Sequence, residues 1–129
     1  MEKITVTSTG HKQVIDITDK INKWLKKYDQ SQGLCNLFVT HTTASLTIAD
    51  LDPGTDLDLL EAIDKMVPKL TYRHPHDPNH VGDHIFSSII GCCVTIPFDN
   101  KQLVLGAWQR VVLIELNGPK DRTVIINIV

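Results

Sequence analysis

No tract of like charge runs through this chain: 13 basic and 15 acidic residues are spread over 129 positions, for a formal charge of -2. A duplex binder neutralises phosphates with clustered lysine and arginine, so no nucleic-acid partner is expected. No apolar run approaches the roughly 20 residues that a membrane helix needs, and no membrane partner is expected either. The opening "MEKITVTSTG" lacks the charged-then-apolar order of a secretory leader. Cysteine is scarce and odd in number: Cys35, Cys92 and the adjacent Cys93. Neighbours in a strand point to opposite faces, so no disulfide framework follows, and a reducing compartment, most simply the cytoplasm, is the expectation. There is no repeat, low-complexity tract or linker. One domain over residues 1–129 is expected, long enough to bury roughly two-thirds of its unfolded surface.

The patterns that are present alternate between strand and helix. "KITVTS" and "QVIDIT" read as two strands of a hairpin. In "DKINKWLKKYDQ", Ile21, Trp24, Leu25 and Tyr28 recur at i, i+3, i+4 and i+7, with Thr18 or Asp19 as N-cap. "LCNLFVTH" and "ASLTIAD" follow as strands; strand phase puts Cys35, Leu37, Val39 and His41 on one face, with His41 aimed toward the interior or a pocket. A second helix is predicted over 55–67, with Leu57, Leu60, Ile63 and Val67 in one stripe. A third, "DHIFSSIIG", presents Ile85, Phe86, Ile89 and Ile90 on one face and His84, Ser87 and Ser88 on the other. The last third, "CCVTIPF", "QLVLGAW", "RVVLIELN" and "RTVIINIV", reads as strands, several apolar on both faces. Such strands suit a sheet covered by helices on one side and by another sheet or subunit on the other.

Candidate chemistry gathers in a few places. "YRHPHDPNHVGDH" holds His74, His76, His80 and His84 with Asp77 and Asp83, a ligand set suited to zinc-type ions. Pro75, Pro78 and Gly82 keep His80 in a loop, so only His84 opens a helix, where it can serve as ligand, acid or base, or as a satisfied core histidine. "THTTASLT" surrounds His41 with Thr40, Thr42, Thr43 and Ser45. Such a group binds an anion, fixes a histidine tautomer or merely satisfies a packed ring. Ser45 sits in no nucleophile elbow. "LDPGTDLDLLE" carries Asp50, Asp52 and Asp58, and acids at a helix start are favoured by its dipole whatever their function. An unbroken strand through "WQRVVLIE" would put Gln109 and Glu115 on one apolar row, where buried polar groups need partners. Phosphate would want Arg73, Arg110, Lys120 or Arg122, and no GxGxxG or Walker loop is there to cradle it.

Taken in order, "HTTASLT", "DP", "YRH", "DHIFSSIIG", "TIPF", "LGAWQ" and "NGPKDR" resemble the YjbQ family over essentially the whole chain. Residue by residue, the family's pattern falls on His41 with Thr42 and Thr43, on Asp50, Asp52 and Asp58, on His74 and His84, and on Gly106, Trp108 and Gln109. Glu115 follows in the same block. The chain departs from the pattern at Ala107, where a small hydroxyl residue is usual.

The resemblance implies a single α+β domain, its sheet largely antiparallel or mixed and sandwich-like, with about three helices, assembled as a homotrimer. It also implies His41, His74 and His84 as ligands of a divalent metal, zinc-type or magnesium, or of an anion. His76 and His80 become auxiliary. Catalytic roles are expected for His41, His84, Asp52, Gln109 and Glu115, and contacts to a phosphorylated small molecule for Thr42, Ser45, Arg73 and Trp108. The implied activity is thiamine-phosphate synthase, which joins a pyrimidine diphosphate to a thiazole phosphate and expels pyrophosphate. A metal-dependent hydrolase and a non-catalytic trimeric binder of small ligands would present the same histidines.

Overall fold

The computed structural model describes residues 1–74 and 81–129. His76, His80 and Asp77 lie outside the described residues. The elements are β1 (Glu2–Thr7), β2 (Gln13–Asp16), α1 (Thr18–Lys26), β3 (Gly33–Val39), β4 (Ala44–Ala49), α2 (Thr55–Met66), α3 (Val81–Ile90), β5 (Cys93–Asp99), β6 (Gln102–Leu103), β7 (Arg110–Glu115) and β8 (Asp121–Ile128). They form one α+β domain of two sheets, ordered β1-β8-β3-β5-β6 and β2-β7-β4, and every pairing among the described residues is antiparallel.

The hairpin expected from the first two strands does not form: β1 pairs with β8 and β2 with β7, in different sheets. The chain crosses between sheets at the turn after Thr7, where the Ser8 N–H donates to the Lys120 carbonyl. Both partner strands lie some hundred residues away, beyond the reach of local pattern.

The doubly apolar strands are explained by β7, which is buried along both faces. Val111 and Leu113 join Leu37, Val39, Val124 and Ile126 of the other sheet in the main core, closed by Ile21 and Leu25 of α1. Val112 and Ile114 face the opposite way and are covered by Ile63 of α2 and Phe86 of α3. At about 25 cal/mol per Å² of apolar area, this double burial makes β7 the strand on which both layers depend. Cys35 belongs to the core, where burial pushes its thiol up to about 12, while Cys93 is exposed.

Several local expectations shift. Thr18 does not cap α1 but begins it, because its hydroxyl is taken by β7: the Val111 N–H donates to Thr18 Oγ1 at 2.8 Å. The Asp16 carboxylate accepts the Thr18 N–H at 3.0 Å instead. In α2, Leu57 is exposed, and the covered stripe runs through Leu59, Leu60 and Ile63. In α3, Ile89 points out and Ser87 points in, since the helix packs on polar edge groups of β4 as well as on apolar ones. The helix stops at Gly91, whose φ of 105° suits a residue without Cβ. "QLVLGAW" contributes only Gln102–Leu103 as strand; the rest turns outward and exposes Trp108.

Candidate functional site

A cavity of about 550 Å³ opens where three connections meet. The β3–β4 connection supplies Thr40, His41, Thr42 and Thr43, the approach to α3 supplies His74 and its first turn His84, and the β7–β8 connection supplies Asn117 and Lys120, with Arg122 from β8. All three histidines implied by the resemblance therefore line one pocket, together with two of the four basic residues named for phosphate.

His41 is held by a backbone group. β3 ends at Val39, paired with Val124, so the next rung would join Thr40 to Thr123. The Thr40 N–H does donate to the Thr123 carbonyl, at 3.2 Å. The returning bond is different: the Thr123 N–H donates to His41 Nε2 at 2.9 Å, so the imidazole stands where a ladder carbonyl would be. An N–H that donates to Nε2 requires a lone pair there, which leaves the proton of a neutral ring on Nδ1. Burial, then the positive charge of Arg122, outweighs the opposing pull of Glu115 and, with Lys120, holds the His41 pKa below its usual value. The ring is thus a neutral Nδ1–H donor at neutral pH.

His74 and His84 stack, with ring centroids 5.0 Å apart and planes 26° from parallel. The start of α3 is pinned from the far side by Asp83, nearly buried, whose carboxylate lies 3.4 Å from Lys12 Nζ. An acid in the first turn also suits the helix dipole. Ser88 donates to the His84 backbone carbonyl at 3.1 Å rather than to its ring.

Beneath the pocket lies a buried charge network. Arg122 Nε donates to Glu115 Oε1 at 2.9 Å, and a terminal nitrogen reaches Oε2, Thr43 Oγ1 at 2.9 Å and the Thr43 carbonyl at 3.1 Å. Ser8 Oγ donates to Glu115 Oε1 at 2.6 Å and accepts the Lys120 N–H at 2.8 Å. Burial by itself would raise the Glu115 pKa, but the hydrogen bonds from Arg122, Ser8 and the Asn117 N–H, and the Arg122 charge, bring it below the usual value. The space is tight: a Cβ at Gly118 would lie 2.6 Å from Ser8 Oγ. Glu115, expected among the catalytic groups, is fully buried with its acceptors taken, and so positions Arg122 and the Thr43 backbone instead.

Five other expected residues are not brought to this pocket. Ser45 is buried and donates to the Ser87 carbonyl at 3.2 Å, tying β4 to α3. Asp52 and Trp108 line a separate hollow of about 170 Å³ with Asp50 and Arg110. Gln109 lies outside β7, not on the row of Glu115, and its side chain folds back to accept the Gly106 N–H at 2.8 Å. The β4–β7 register pairs Ala44 with Glu115 and Ala49 with Arg110, so the two hollows sit at opposite ends of one strand pair. Five residue steps separate them, roughly 17 Å. Arg73 is exposed and does not line the histidine pocket either. Sequence reasoning missed Asn117; its only signal was its place in "NGPKDR" between two apolar strands.

The donor set among the described residues does not fit a metal ion in this arrangement. Among the described residues no three histidine, cysteine, aspartate or glutamate side chains are grouped to hold one. The His41 lone pair is spent on Thr123, and a neutral ring offers a metal none at Nδ1. Hydroxyls, an N–H donor and the Lys120 cation suit an anion better. Among the described residues no helix is long and apolar enough to cross a membrane.

A family description reading "UPF0047 protein YjbQ-like" matches residues 2–129. A UPF0047 protein of Mycobacterium tuberculosis is 34% identical over 116 residues, spanning 88% of each chain. A solved YjbQ/UPF0047 structure from Clostridium acetobutylicum superposes with a TM-score of 0.89 at 32% identity, covering 100% of both chains. A YbjQ-like structure from Sulfolobus solfataricus does so with a TM-score of 0.89 at 27% identity, covering 98% of this chain and 94% of the other.

Proposed function

Because the chain belongs to the YjbQ-like UPF0047 family, we propose that its histidine pocket takes the phosphate or diphosphate of a small molecule, in a group-transfer reaction of the thiamine-phosphate synthase type. The observation that carries this reading is His41, a neutral N–H donor in the lining of a pocket that also holds Lys120 and three threonines. In the synthase reaction a C–N bond forms to the pyrimidine methylene carbon as its C–O bond breaks, and pyrophosphate departs with the electron pair. Donors aimed at the departing oxygens stabilise that charge most where water is excluded. His41, Thr42 and Lys120 supply them here. Arg122 adds less, since Glu115 already neutralises it.

A homotrimer in the cytoplasm is part of the proposal. Asp52, Trp108 and Gln109 are too far from His41 to meet the same ligand within one copy, and a neighbouring copy is the route by which they do. The hydrolase alternative has less support, because the mechanism it needs passes through a metal that the donor set among the described residues does not fit.

Formation of thiamine phosphate from the two substrates with Mg²⁺ tests the reading. Product from the wild type, reduced on the order of 10²-fold in His41→Ala as for loss of one oxyanion donor, supports it. Wild-type product no greater than a heat-killed control removes the synthase. Should pyrophosphate still raise the melting temperature, the chain would be a binder rather than an enzyme.

A further inference from the structure

We infer that the Thr123 backbone N–H locks His41 as the Nδ1–H tautomer, so that this histidine acts on the pocket ligand as a hydrogen-bond donor and is closed to metal through Nε2. The ligand class rests on the anion reading above; the lock rests on geometry alone. Thr123 sits in the middle of β8, paired with Thr5 on one side, and its carbonyl is used by the Thr40 N–H. Its own N–H would be left without a partner at the end of β3 if the His41 ring turned away. A partly buried peptide group without a partner is costly, so the sheet itself enforces the ring's orientation.

The opposite ring atom completes the argument. Among the described residues every buried side-chain nitrogen or oxygen has a partner. His41 Nδ1, which has no such partner, is therefore reached by solvent, and the ring lines the histidine pocket. A histidine so fixed cannot accept a proton at Nδ1 from a substrate, because that nitrogen already bears one. It can polarise or hold an oxyanion. The general-base role, if the reaction needs one, falls to His74 or His84.

Nitrogen-15 spectra of the full-length chain, correlating ring nitrogens with ring carbon-bound protons at pH 7.5, read the tautomer directly, with His41 assigned by its loss in His41→Gln. The expected result is a protonated Nδ1 and a bare Nε2, unmoved by equimolar zinc. An Nε2–H tautomer in the wild type, or a zinc-induced shift of His41 Nε2 to the coordinated range, would overturn the inference.

Two variants separate the lock from the donor. The Gln oxygen reproduces the acceptor at Nε2 without a donor at Nδ1, whereas Asn offers a donor at Nδ1 without the acceptor. His41→Gln should keep the wild-type melting temperature and lose about tenfold in pyrophosphate affinity, the effect of one net hydrogen bond. His41→Asn should melt lower. Wild-type pyrophosphate affinity in His41→Gln would overturn the donor role. If pyrophosphate and phosphate leave all pocket resonances of the wild type unmoved, the anion reading of the preceding subsection fails, and the zinc and tautomer results still decide the lock.

Discussion

Arg122 and Arg110 both pair with carboxylates, at opposite ends of β7, and their surroundings could hardly differ more. Arg122 meets Glu115 with side chains 3% and 0% exposed. Arg110 meets Asp16 at 2.7 Å and Asp19 at 3.2 Å, where the three side chains are 36%, 33% and 90% exposed. At the first end water is gone, each charge depends on its partner, and the pair holds the Thr43 carbonyl and the β7–β8 connection under a pocket. At the second end water screens the charges and a long side chain gives up entropy to make the contact. Equal chemistry on paper thus yields a rigid floor in one place and a surface decoration in the other. A buried pair is often no more stabilising than a well-packed apolar substitute, so its presence here points to positioning rather than stability.

The largest effect follows from removing one partner at the buried end. Glu115→Ala should cost about 3–5 kcal/mol, because it strands the Arg122 charge, and urea unfolding measures it. Adding Arg122→Met should recover much of that loss; a double variant as unstable as the single one would mean that the cavity, not the orphaned charge, is responsible. The pair also has a pH signature. A carboxyl whose folded pKa is depressed, as for Glu115, adds stability above its unfolded pKa of about 4.3 and loses it as pH falls through the folded value. Wild-type stability should therefore fall with acid below about pH 4, and Glu115→Gln, though less stable at pH 7, should fall less steeply. Equal slopes would show that Glu115 is not the group being titrated.

The contrast between the ends was only half legible in the sequence. The apolar phases of α1 and of β7 are readable, and so is the single glutamate that interrupts "RVVLIEL". Its partner was not assigned, because an arginine opening "RTVIINIV" looks like any solvated strand end until the turn at 117–120 carries the chain from β7 into the other sheet and brings Arg122 onto Glu115. His41 was placed at the end of an apolar row by strand phase, which is correct as to location. The atom that fixes it, the Thr123 N–H, is backbone and leaves no trace in residue types. Gln109 was lost to the assumption of an unbroken strand: the chain turns at Gly106, and side-chain alternation means nothing across a turn. The hairpin failed for a related reason, since which sheet a strand joins is decided by partners that only the fold brings near.

Ser8→Ala tests how far the floor extends beyond its charges. The hydroxyl donates to Glu115 and accepts from the Lys120 N–H, so its loss leaves the buried carboxylate and a part-buried N–H each short of a partner. The expected cost is about 1–3 kcal/mol. Ser8→Gly would add backbone freedom and confuse the reading, so alanine is the better probe. A smaller loss, with an unchanged melting temperature, would mean that water replaces the hydroxyl and that the floor is wetter than its packing suggests.

At the exposed end the effect should nearly vanish. A double-mutant cycle over Arg110→Ala and Asp16→Ala removes each group's separate contacts and leaves the pair's coupling, expected at about 0.2–1 kcal/mol. Raising ionic strength from about 0.01 to about 1 M shrinks the screening length from roughly 30 to roughly 3 Å, so that coupling should fall with salt. The Arg122–Glu115 pair, out of reach of ions, should not respond in the same way. Asp16 complicates the cycle, because its carboxylate also accepts the Thr18 N–H at the start of α1. Asp16→Asn keeps an acceptor for that bond while removing the charge, so it isolates the electrostatic part. If the Asn cycle still gave coupling comparable to the cost of breaking the buried pair, the two ends would be energetically alike and exposure would not be what separates them.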